Sequence, residues 1–77
     1  MYQALDTVAL THDMPQAKLR RGDLGAIVEV VAMDAMEVEF VAASGKTQAV
    51  LTLTRADIRP LGDNDLIAVR SLEDAAL

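Results

Sequence analysis

The sequence has no cysteine, no tryptophan, one histidine, one tyrosine and one phenylalanine among 77 residues. Without cysteine there is no disulfide, no thiol nucleophile and no thiolate ligand. A single histidine with no cysteine is too little for a zinc set. The N-terminus lacks a basic stretch followed by an apolar run, so no secretory signal is expected. No apolar run of about eighteen residues is present to span a membrane. A cytoplasmic protein is the resulting expectation, and the lack of cysteine fits it.

Positive charge is also scarce. Seven Lys and Arg stand against twelve Asp and Glu, for a net charge of −5. Nucleic-acid binding draws most of its affinity from neutralising phosphates, so an acidic chain starts at a disadvantage.

Apolar residues are abundant, at 52% of the chain. A single domain this short buries only about 60% of the surface its unfolded chain exposes, so its core is thin. The usual staples of small domains, disulfides and metal, are missing. Association is the remaining remedy, and a homodimer or higher homo-oligomer is expected.

Along the chain, Leu5 to Thr11 alternates as a strand, with Val8 and Leu10 on one face and Leu5 and Thr7 on the other. Pro15 ends it, and a polar loop pinned by Leu19 follows. Gly22-Asp23-Leu24-Gly25 reads as a tight turn, glycine supplying positive φ. Ala26 to Ala32 is apolar on both faces except at Glu29, so this strand is either covered on both sides or bulged. Met36, Val38 and Phe40 alternate with Glu37 and Glu39, one face in and the other in water. Ala43-Ser44-Gly45-Lys46 turns the chain into a partner strand over 47–54, with Ala49, Leu51 and Leu53 sharing a face. Thr54 caps one helical turn, and Ile58-Arg59-Pro60-Leu61 is a last strand that Pro60 confines to an edge.

Five short strands with close turns predict an all-β small barrel over residues 1–61. Residues 62–77 form a C-terminal extension packed on the barrel or on a partner chain. A cap at Asp63 or Asn64 before Leu66, Val69, Leu72 and Ala76 suits a short helix, the preferred reading. The segment Asp65 to Arg70 also reads as an extra strand. In either form Leu66, Ile67, Val69 and Leu72 call for cover.

Chemical motifs are sparse. Gly45-Lys46-Thr47 resembles the end of a phosphate-binding loop, but Phe40 stands where the motif needs its first glycine. The G-x-x-G spelling at Gly22–Gly25 fits a backbone-clamping loop of one RNA-binding fold, yet Asp23 repels phosphate. Lys18, Arg20 and Arg21 are the one basic cluster, without interleaved aromatics. Asp63-Asn64-Asp65 has calcium-like spacing, but Ile67, Ala68 and Asp74 stand where a third ligand, a glycine and a glutamate belong. Glu37 and Glu39, with Glu29 beside them, read as a solvated strand face rather than a catalytic pair. His12 sits in a turn with no nucleophile at hand. No catalytic residue, cofactor site or metal site is assigned, and the chain is not expected to be an enzyme.

Set in order, Val8 and Leu10, Gly25-x-Ile27, Val38-x-Phe40, Gly45, Leu51 and Leu53, and Ile58 resemble the KOW-type pattern of the SH3-like barrel. A closer resemblance is to short, stand-alone bacterial proteins of unknown function. It is carried by Leu5-Asp6-Thr7-Val8-Ala9-Leu10, Gly22-Asp23-Leu24-Gly25-Ala26-Ile27-Val28, Val38-Glu39-Phe40 and Ile58-Arg59-Pro60, and it implies a five-stranded SH3-like barrel with no assigned catalytic residues. The leading expectation is a protein–protein interaction or self-assembly module. Its candidate partner-binding residues are Leu66, Ile67, Val69, Leu72, Val41, Arg20 and Arg21. Leu5, Val28, Val31 and Val50 also fall outside any inward set. The alternative is a nucleic-acid or ribosome-associated module using Lys18, Arg20, Arg21 and Lys46.

Overall fold

In the computed structural model, which describes residues 1–72, the core is a stripe of side chains at period two. Val8 and Leu10, Ile27, Met36, Val38 and Phe40, then Leu53 and Ile58 form one buried cluster that Leu19 joins from its loop. The strands that carry them are β1 (Thr7–Leu10), β2 (Leu24–Ala32), β3 (Ala35–Val41), β4 (Thr47–Leu53) and β5 (Ile58–Pro60). They form one antiparallel sheet in the order β4-β3-β2-β1-β5. The protein is therefore all-β, with the small barrel-like arrangement that the alternating pattern predicts.

β3 is the cleanest element. Met36, Val38 and Phe40 are buried, and Glu37 and Glu39 face outward. β4 answers it in register, with Leu51 opposite Val38 and Ala49 opposite Phe40. The connecting turn places Gly45 at φ 91, where a residue without Cβ is favoured.

β2 departs from a simple strand in two ways. It begins at Leu24, so Gly25 lies inside the strand rather than in the preceding turn. Gly22 alone takes the positive φ there, at 91. The need for glycine at position 25 is steric. A Cβ there would lie 2.7 Å from Val38 Cγ1 and 2.8 Å from Phe40 Cε2. Secondly, the register with β3 shifts between Ile27 and Glu29 and again between Val30 and Ala32. Val28 and Val31 are the extra residues at these bulges and are exposed, while Val30 is registered opposite Met36 but lies beyond the core and is exposed as well.

β1 starts at Thr7, two residues later than the alternation suggests, because Leu5 holds φ 77 and cannot extend the strand. Leu5 instead donates its N–H to Ile27 O at 2.7 Å, and Asp6 O receives the N–H of Ile27 at 2.9 Å. After β4, Arg55–Asp57 makes one 3-10 turn. The Asp57 carboxylate accepts from the Thr54 backbone N–H at 2.9 Å and from its hydroxyl at 3.1 Å. Among the described residues the short β5 pairs only with β1, and it ends at Pro60.

The tail corrects the sequence reading. From Gly62 to Leu72 the chain forms neither helix nor strand. A turn at Asp63-Asn64 opens it, closed by Asp65 N–H to Gly62 O at 3.1 Å. Asp65 is committed to the Arg59 guanidinium and Arg70 to Asp23, so the ends of this segment are tied to different parts of the barrel. A helix this short is marginal alone in water, and these ties decide the path. Ala76 lies outside the described residues.

Gly25→Ala tests the close approach in β2. Forcing a methyl group against Val38 and Phe40 should cost about 1–3 kcal/mol, the usual range for an overfilled core. Urea unfolding measures it, and Phe40→Leu in the Gly25→Ala background should recover part of the loss. An unchanged midpoint would show that β2 yields freely at this point.

Candidate functional site

The barrel and the tail enclose an open groove of about 790 Å³. Its floor comes from Ala9, Leu19 and Phe40, and Val41 and Gln48 stand on its rim. The tail runs along its other side. Two ion pairs fix the tail there. Arg59, on β5, donates to both carboxylate oxygens of Asp65 at 2.8 and 3.1 Å. Asp65 also accepts the Gly62 N–H at 2.6 Å, and Arg59 together with that bond holds its carboxyl at about 2.

At the far end, Arg70 donates Nε to Asp23 Oδ1 at 2.9 Å and Nη2 to Asp23 Oδ2 and to Lys18 O. Partial burial of Asp23 favours its neutral form. The hydrogen bonds from Arg70 and from the Arg20 backbone outweigh that and bring its carboxyl below the usual range. The turn residue Asp23 thus becomes the anchor of a segment 47 positions away.

Between these anchors the tail faces water. Leu66 is 92% exposed, Ile67 67% and Val69 98%. Of the sequence-predicted partner residues, Leu66, Val69, Leu72, Val41 and Arg21 line the groove, while Ile67 and Arg20 do not. Leu72 is half-buried, and Val41, Arg20 and Arg21 are exposed.

The basic loop is threaded with acids. The Arg20 N–H donates to Asp23 Oδ2 at 2.7 Å and the Arg21 N–H to Asp13 Oδ1 at 2.8 Å. Lys18 closes a 3-10 turn over Pro15–Ala17 with φ 59. Lys46 lies on the opposite hairpin turn, its N–H 3.3 Å from Ser44 Oγ.

The acidic strand face is arranged as the sequence suggests. Glu29 is registered opposite Glu37. Glu39 accepts from the Thr47 hydroxyl at 2.6 Å and Glu37 from Thr52 at 2.5 Å. No carboxylate there is buried. Among the described residues, no group of three or more His, Cys, Asp or Glu is placed to hold a metal. A smaller recess of about 550 Å³ near the N-terminus, lined by Tyr2, Asp6 and Arg55 among others, contains none of the predicted partner residues.

One pair escapes sequence reading. His12 Nε2 lies 2.7 Å from Asp57 Oδ1, and its Nδ1 lies 3.0 Å from Asp13 O. Two acceptors require two N–H donors, so these contacts favour the imidazolium. The Asp57 hydrogen bond, with Asp13 O behind it, raises the His12 pKa above its ordinary 6.5. Asp57, bonded to His12 and to the Thr54 backbone, is lowered from 3.8. His12 is exposed and Asp57 half-buried, and the pair ties the loop after β1 to the 3-10 turn before β5.

A family model described as a domain of unknown function (DUF4926) matches residues 4–60. The match ends at Pro60, before the clamped tail. No curated protein and no solved structure matches the chain.

Two measurements probe these contacts. The His12–Asp57 tie should be fully formed below the ordinary histidine pKa of 6.5 and lost as pH rises through the higher folded value. Its acid limb begins below 3.8, where Asp57 protonates. In urea titrations, His12→Gln should therefore lower stability near about pH 5 and matter little near about pH 9. An equal difference at both values would refute the titrating pair. Separately, Arg70→Gln removes a partly screened ion pair worth about 1 kcal/mol, so tail amides should open about fivefold more often. Hydrogen exchange reads this, with strand amides unchanged. Tail exchange that stays at the wild-type rate would mean that Arg70 does not anchor the segment.

Proposed function

The chain belongs to the DUF4926 family, a domain of unknown function, and we propose that it is a non-enzymatic protein-interaction module that self-associates. One observation carries this reading. Among the described residues, ten apolar side chains are buried, while eleven large ones are exposed. Scattered exposed apolar residues are ordinary, but a domain with as many outside as inside has unused surface to cover.

The distribution of these residues supports the same reading. Val28, Val30 and Val31 stand together on β2, Val41 and Val50 lie toward the β3–β4 side, and Leu66, Ile67 and Val69 line the tail. The tail is not loose chain that happens to be apolar. Arg59–Asp65 and Arg70–Asp23 hold it in one place with its apolar side chains outward. Positioning before binding lowers the entropy lost on docking, which suits a recognition element for a protein partner.

The fold supports a binding role without naming the ligand. The strand order β4-β3-β2-β1-β5 accords with an SH3-like barrel, a scaffold that hosts many activities. Nucleic-acid binding has less support. The net charge is −5, and Asp13 and Asp23 sit within the Lys18–Arg21 loop. Arg59 and Arg70, two of the seven cations, are engaged in holding the tail.

Light scattering on the size-exclusion peak of the full chain, at micromolar concentration, is the direct test. The expected mass is a multiple of 8.3 kDa. A clean monomer with the tail intact would overturn self-association.

A further inference from the structure

The two edges of the sheet are unlike. β5, at one edge, is three residues long, contains Pro60, and carries Arg59 tied to Asp65. Shortness, proline and charge are the ordinary devices that stop an edge from pairing. β4, at the other edge, has none of these three, and its register shift against β3 is confined to its first residues, where Gln48 falls between the pairs Phe40–Ala49 and Val41–Thr47. It runs seven residues, Thr47-Gln48-Ala49-Val50-Leu51-Thr52-Leu53, without charge, proline or glycine. Among the described residues, no backbone hydrogen bond reaches β4 except from β3. From β4, the Gln48 side chain donates Nε2 to Ala17 O at 3.1 Å.

We propose that β4 is a pairing edge at which two copies of this chain join, antiparallel and about a two-fold axis at Val50, into one continuous sheet. The inference rests on the self-association reading and specifies its geometry.

The occupant follows from the strand's own pattern. Rotated about Val50, Ala49 meets the second copy's Leu51, and Gln48 meets the second copy's Thr52. Ala49 and Leu51 are both half-buried against the core, so the inward faces of the two strands match. Val50, 51% exposed, meets itself on the outer face, where direct cross-strand pairs contribute most. A two-fold interface requires this kind of self-complementarity.

Charge selects the edge over the face. Stacking the outer faces of two sheets would set Glu29, Glu37 and Glu39 of one copy against those of the other. Edge pairing instead separates the two β3 strands by three strand spacings, about 14 Å. That exceeds the screening length of about 8 Å at physiological salt. Glu37 and Glu39 also keep their hydrogen bonds from Thr52 and Thr47 in this arrangement.

The test uses the full chain and three variants. Val50→Lys puts a charge at the two-fold axis but lies on a surface position of the isolated barrel. It should lower the light-scattering mass to 8.3 kDa with an unchanged circular-dichroism spectrum. Because the chain has no cysteine, Val50→Cys carries the only thiol of its chain. Paired strands bring Cα atoms within disulfide reach. Effective concentration inside a dimer is about millimolar, so oxidative cross-linking at about 10 micromolar protein should run on the order of 100-fold faster than in Val28→Cys. Val28 has the same 51% exposure but lies two strands away.

An oligomer that survives Val50→Lys, with Val50→Cys no faster than Val28→Cys, overturns edge pairing and leaves self-association standing. A wild-type monomer overturns both. If Val50→Lys fails to fold, the cross-linking comparison decides alone.

Discussion

The contact on which the rest of the structure depends is the approach of the β2 backbone at Gly25 to Val38 and Phe40. Phe40 is the only aromatic in the buried cluster, with Tyr2 packed at its margin. A core built mainly of aliphatic side chains must seat that ring closely, and Gly25 provides the seat by having no side chain. The same position also lets β2 serve two neighbours. Gly25 is registered with Val8 of β1, while the next residues, Ala26 and Ile27, are registered with Glu39 and Val38 of β3. One strand thus joins the outer pair β1–β5 to the hairpin β3–β4, and its bulges supply the curl that brings both over one core.

That economy has a consequence at the surface. Of nine residues in β2, only Gly25 and Ile27 are buried. The bulges that curve the strand leave Val28 and Val31 exposed as extra residues without a partner in register, so curvature is obtained at the expense of inward-facing apolar area. The tail adds to the imbalance. It contributes a half-buried Leu72 and a bonded Arg70 to the barrel, while Leu66, Ile67 and Val69 remain outside. A thin core and an apolar exterior are two aspects of the same geometry.

Where backbone period and side-chain environment agreed, the sequence was legible. β3 is the best example, since Met36, Val38 and Phe40 go in and the glutamates go out without interruption. Gly25 was not legible in the same way, because a glycine needed for positive φ and one needed for close contact look identical in a sequence. The tail misled for a related reason. Its helical stripe and cap are local signals, whereas its path is set by Arg59–Asp65 and by Arg70–Asp23, the second a pair 47 positions apart. His12 and Asp57, 45 positions apart, gave no local sign either. Hydrophobicity and exposure picked out the candidate surface residues, but only folding decides that Val41, Leu66 and Val69 share a groove while Ile67 and Arg20 stand apart.

Charge then narrows what this surface can meet. The net charge of −5 makes any approach of one copy's acidic face to another's unfavourable, and the register of Glu29 against Glu37 concentrates that charge on the outer sheet. Pairing Arg59 and Arg70 internally leaves fewer free cations to offset it. Of the two edge strands, β4 is the one on which neither sign of charge appears. Repulsion between copies is therefore least along the edge whose backbone groups are open to a new strand. In a domain whose core is limited by its length, that edge is also where further apolar burial around Ala49 and Leu51 is to be gained.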